Sequence, residues 1–277
     1  MKGFLFTIAT IFFASTIVLF AQGFYEANLI TEREIISSAL PLNIISLNDD
    51  LSMDLVKLFG MNFDLNSITK SINLSGRMSN SSSVSNSLND FSSFVSTKFF
   101  TRSLFDKILN ISSLTDGKAE FYIGDRLNLD YNYGESLALF SSSPNNLDSI
   151  DLNLQTVGTL SSYEWVATSG TNNFVVSINY TDDSNAIVLS SFIDNNSLSY
   201  LTLIYPDGNT TIEFGRITYD SVDYNSGFVI KSKQDQVINY ILKADYTELN
   251  LYPVKINSIL SVKSGAIDSN TMLTLFK

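Results

Sequence analysis

The 277 residues contain no cysteine and no histidine. The first absence removes any disulfide framework or thiol redox motif. Together they remove Cys/His zinc sites, haem attachment, and Ser-His-Asp or Cys-His catalysis. Charge is scarce at 16% of residues, and basic side chains are outnumbered 17 to 28, giving a net charge of −11. A chain so acidic lacks the phosphate-neutralising surface on which nucleic-acid binding depends. Nor does a glycine-rich phosphate loop open any helix. Paired carboxylates are the one hydrolytic device left by this composition, and no pair stands out. The chain therefore reads as non-enzymatic and free of cofactors, with solubility resting on Ser, Asn, Thr and Tyr.

What is present begins at the N-terminus. Lys2 and Gly3 precede 18 uncharged residues, Phe4 to Ala21. As a helix at about 1.5 Å per residue, the run matches a bilayer's hydrocarbon thickness. The next charges are Glu26, Glu32, Arg33 and Glu34, so the positive-inside rule keeps the N-terminus cytoplasmic and exports the rest. Membrane lipid around residues 4–21 is the expected first partner. Three readings fit the run. It is a permanent signal anchor, or a secretory signal cut after Ala21-Gln22-Gly23 to leave Phe24 first, or a helix trimmed just behind Lys2-Gly3.

The third reading carries a family resemblance. A very short leader ending in a basic residue and Gly, then an unbroken apolar helix ahead of a polar, β-rich chain, resembles the archaeal type IV pilin-like proteins with class III signal peptides. The resemblance implies cleavage between Gly3 and Phe4, retention of the helix as membrane anchor and filament core, and other pilin-like helices as partners. It covers about the first 25 residues. Bacterial type IV pilins usually carry glutamate at the fifth mature position, where this chain has Ile8. That departure points to a minor or archaeal-type subunit.

The expected fold class is α+β. Residues 1–3 form a leader, 4–40 the apolar helix and its extension up to Pro41, 41–115 a helical and Ser/Asn-rich connector, and 116–277 a mainly antiparallel, jelly-roll-like β-sandwich. Within the connector, Asn48 to Phe59 before Gly60 has an acidic start and a Gly stop, which predicts a short helix. Residues 62–90 read as a stalk or extended loop, and Phe91 to Leu109 as a helix with Lys98 and Arg102 on its apolar side. Beyond Lys118 the period becomes two, with strands expected at 119–123, 126–133, 149–157, 174–180, 186–192, 201–205, 212–214, 237–246, 256–262 and 271–276. Pro206-Asp207-Gly208 supplies a hairpin turn.

Three kinds of site emerge. Asn128, Asp130 and Asn132 share one strand face, as do Asp151, Asn153 and Gln155. Either trio could offer oxygen ligands to calcium, but a solvated sheet face explains both better. Six N-glycosylation sequons occur, at Asn73, Asn80, Asn110, Asn179, Asn195 and Asn209. Trp165 and the tyrosines suit a carbohydrate platform less well than they suit core packing.

Overall fold

The structure is a computed structural model that describes residues 22–26, 51, 54–78, 81–99, 106–124, 126–141, 147–232, 236–247, 252–264 and 267–275. It divides into two units, 1–47 and 48–277. In the first, residues 22–26 are helical, while Gly3, Phe4 and the apolar run lie outside the described residues. Among the described residues no helix is long and apolar enough to cross a membrane.

Among the described residues the second unit is a β-sandwich-like body of sixteen strands. A six-stranded sheet holds β1 (Met61–Asn66), β2 (Ser71–Met78), β14 (Ile238–Tyr246), β7 (Leu147–Thr156), β9 (Asn173–Thr181) and β10 (Ala186–Asp194), in that spatial order. The larger sheet runs β16 (Ile267–Leu275), β15 (Val254–Ser264), β4 (Lys118–Ile123), β5 (Leu127–Asn132), β6 (Ser136–Ser141), β13 (Val222–Lys231), β12 (Gly208–Tyr219), β11 (Leu198–Tyr205) and β8 (Ser162–Val166). Strand β3 (Asp106–Asn110) also pairs with β15. All pairings are antiparallel except β7 with β9, whose connection passes through β8 in the other sheet.

Alternation explains the layering. In β9, Phe174, Val176, Ile178 and Tyr180 are buried while Asn173, Asn179 and Thr181 are exposed. The inner faces meet through aromatic and hydroxyl groups. Phe63 of β1 packs on Phe121 of β4 with ring centroids 5.0 Å apart. At the other end, the hydroxyls of Tyr180, Thr156 and Tyr205 lie within 2.9–3.1 Å of each other across the two sheets. These buried hydroxyls satisfy one another, which removes the cost of desolvating each alone.

Two stretches differ from the sequence expectation. Residues 61–78 are not a stalk: they form the β1–β2 hairpin, and β2 pairs with β14. Met61, Phe63 and Leu65 at period two, with Ile72 and Leu74 opposite, are enough to bury one face despite the surrounding Ser and Asn. The body thus begins well before residue 116. Helix α1 (Ser81–Phe94) follows, continuing as a π-helical turn at Val95–Phe99. It buries Val84, Leu88 and Val95, one stripe at helical spacing. The helix expected over 91–109 does not reach its end, because 106–110 is strand β3. Before β1, residues 54–58 are helical and Gly60 stops them at φ +65°, as the Gly-stop pattern predicts.

Hairpin β12–β13 is longer than the sheet beneath it. At a bulge between Gly215 and Ile217 it bends, and its tip lies over the outer face of the larger sheet. There Tyr219 and Tyr224 pack on Phe140 at 5.5 and 4.2 Å. Ala138, Phe140, Ile217, Tyr219 and Val229 form a second, smaller core on that outer side. Strand β6 is consequently buried along its whole length.

Candidate functional site

On the outer face of the six-stranded sheet most of the described residues are exposed, and the registers place them in rows. One row runs Asn62, Ser75, Ile241, Asn153, Asn179 and Val188 across β1, β2, β14, β7, β9 and β10. The row beside it is Arg77, Asn239, Gln155 and Thr181, ending in Ala186. On the other side lie Asp64, Asn73, Lys243, Asp151, Ser177 and Ser190.

Between the first two rows the sheet cups into a shallow groove of about 410 Å³, lined by Ser75, Gly76, Asn153, Leu154, Gln155, Asn179, Thr181, Asn239, Tyr240 and Ile241. Asn179 donates from Nδ2 to Oδ1 of Asn153 at 2.9 Å. The side-chain amides of Gln155 and Asn239 make no hydrogen bond among the described residues. Ile241 stands in the middle, 56% exposed. The lining sets amide and hydroxyl groups beside apolar surface and holds no carboxylate or amine, so it suits a neutral partner.

The opposite outer face is ionic. Lys118 Nζ lies 2.7 Å from Oδ2 of Asp220, 3.0 Å from Oδ2 of Asp130 and 3.1 Å from Oε1 of Glu120. It also sits 5.6 Å from the centroid of the Tyr219 ring. Desolvation pulls the Lys118 pKa down, but hydrogen bonds to Asp220, Asp130 and Glu120 outweigh it and hold the ammonium protonated. At Asp130 desolvation prevails over Lys118, so its carboxyl sits above the ordinary range. Burial, then the hydrogen bond to Glu120, pushes the Tyr122 phenol up to about 12.

The two oxygen-bearing trios have different fates. Asp130 faces the Lys118 ammonium, so the cation among these carboxylates is the protein's own. Asp151, Asn153 and Gln155 lie on the open face, and only one of the three is a carboxylate. Among the described residues no cluster of Asp and Glu is arranged to hold a metal ion.

The sequons also separate. Asn179 and Asn209 are exposed, and Asn73 is half-buried on the outer face between Asp64 and Lys243. Asn110 is exposed, and its Oδ1 accepts from both the backbone N–H and the hydroxyl of Ser112. Asn195 is 2% exposed beneath the bulged hairpin, where no transferase reaches it in the folded chain. Asn80 and Arg102 lie outside the described residues. Trp165 is half-buried and meets Phe214 edge to face at 6.1 Å, a packing role.

The groove residues of β14, Asn239 and Ile241, were not singled out from sequence. Their signal is the alternation Asn239, Ile241, Lys243, which marks an outward face but not its neighbours. The chain matches no protein-family model, no curated protein and no solved structure.

Proposed function

We propose that this chain is a membrane-anchored cell-surface protein of structural or adhesive role, a minor pilin-like subunit held through the apolar helix of residues 4–21. The supporting observation is the broad outer face of the six-stranded sheet, where neutral amides and hydroxyls line the groove. Such a groove makes contacts without a charged partner. The apolar run behind Lys2-Gly3 supplies the anchor and the packing helix, and the absence of histidine and cysteine agrees with a non-catalytic role. Mass spectrometry of the native N-terminus tests the assembly reading: a chain starting at Phe4 supports it, whereas an intact Met1 or a start at Phe24 overturns it.

The groove itself favours a second reading, a binding module for a neutral glycan of the envelope that is not built into a filament. Gln155 and Asn239 present unbonded amides beside an exposed Ile241, a pairing of hydrogen-bonding groups with an apolar contact that matches a sugar ring. Retention of the protein on immobilised neutral polysaccharides, lost in Gln155→Ala with melting unchanged, supports this reading. Equal retention of the two proteins removes it.

A further inference from the structure

Strand β10 is an edge of the six-stranded sheet and is built unlike the other edges. From Ala186 to Ile193 it has no charge and no proline, the two usual guards of a free edge. Strand β1 carries Asp64, β8 is short and carries Glu164, and β16 carries Asp268. Val188 and Phe192 are 78% and 63% exposed on the outer face, with Ile187 and Leu189 half-buried on the inner one.

The backbone of β10 shows which groups are free. The N–H of Asp194 points away from β9, because it donates to the Thr168 carbonyl at 2.8 Å. With a period of two, the N–H and C=O groups of Val188, Ser190 and Phe192 also point outward. The N–H groups of these three residues have no partner among the described residues. They are the same residues whose side chains stand on the outer face.

From this we infer that β10 is a homodimer interface, pairing antiparallel with β10 of a second copy about a two-fold axis at Ser190. The strand is self-complementary there. Ser190 meets Ser190 of the second copy in a hydrogen-bonded pair, and Val188 meets Phe192, a β-branched and aromatic pair of the kind that stabilises sheets. The small serine leaves room at the axis. The contact of Asp194 with Thr168 closes the ladder at one end, which confines pairing to Val188–Phe192. An isologous contact of this kind closes after two copies. This inference needs only the folded sandwich, not the proposed membrane attachment.

The absence of native cysteine gives a direct test. In the full-length chain, in membranes or detergent, Ser190→Cys brings two thiols to a Cα separation of about 5.5 Å, within disulfide range. Ser190→Cys is expected to form disulfide dimers about tenfold faster than Asn62→Cys on the opposite edge, a gain in effective concentration. Adding Val188→Lys to Ser190→Cys should abolish that advantage while melting stays unchanged. Equal slow cross-linking at both positions overturns the dimer. Preferential mixed disulfides between Ser190→Cys and Asn62→Cys chains overturn it too, by showing a head-to-tail contact instead.

Discussion

Lys118 and Asp220 stand 102 positions apart in sequence, yet Nζ and Oδ2 meet at 2.7 Å. This contact fastens the tip of the β12–β13 hairpin to the outer face of the larger sheet, where the same ammonium also serves Asp130 and Glu120.

Its members should respond unequally to substitution. Lys118→Met leaves the buried Asp130 carboxylate without its cation and is expected to cost about 2–3 kcal/mol in urea unfolding. Asp220→Asn removes a partner that is 59% exposed, with an expected cost under about 1 kcal/mol. Equal losses would show that Asp130 is not what the lysine stabilises.

Acid sensitivity should centre on Asp182. Desolvation pushes its carboxyl upward, but donation from the Ser184 backbone, the Asn185 side chain and the Leu160 and Asn185 backbones wins and holds its pKa well below the carboxylate range. A depressed folded-state pKa gives stability that is present above the unfolded value of about 4 and is lost as pH falls toward the folded one. Asp182→Asn should therefore lower stability at neutral pH and flatten the acid limb of a stability-versus-pH curve. An unchanged acid limb would assign the sensitivity to other carboxylates.

Two glycines with positive φ should differ sharply. A Cβ on Gly215 would overlap the carbonyl oxygens of Ser197 and Asp194, whereas one on Gly158 meets nothing within 4 Å. Gly215→Ala is expected to cost about 3 kcal/mol, through backbone strain and overlap together, and Gly158→Ala only about 1 kcal/mol. Thermal melts of the two variants check the order.

Glycan mapping of native protein should find Asn195 unmodified. Modification is expected among Asn209, Asn179, Asn110 and Asn73, all open to solvent at least in part. A glycopeptide carrying sugar on Asn195 would mean that modification precedes folding.

Much of the sandwich was legible because a half-buried strand writes its burial into a period of two. Strands β4, β5, β7, β9, β10, β11 and β14 all announced themselves this way. Strand β6 did not, since Leu137 and Leu139 face the main core while Ala138 and Phe140 lie under Tyr219 and Tyr224. A strand covered on both sides loses its polar half. The β1–β2 hairpin was hidden by the opposite effect, with abundant Ser and Asn masking a few well-spaced apolar positions. At the groove, Asn153 and Gln155 could be assigned to an outward face from β7 alone. Their meeting with Asn179, Thr181 and Asn239 depends on register between distant strands, which no local pattern encodes.

The crossover between β7 and β9 bears on how the molecule comes together. These strands are neighbours in one sheet, while the segment joining them crosses to the other, where β8 pairs with β11. The six-stranded sheet also takes β14 between β2 and β7, so it cannot be completed until the chain through residue 246 is in place. Pairings between distant segments of this kind slow folding. They also interleave the two sheets along the chain, so neither sheet is encoded by a contiguous half of the sequence.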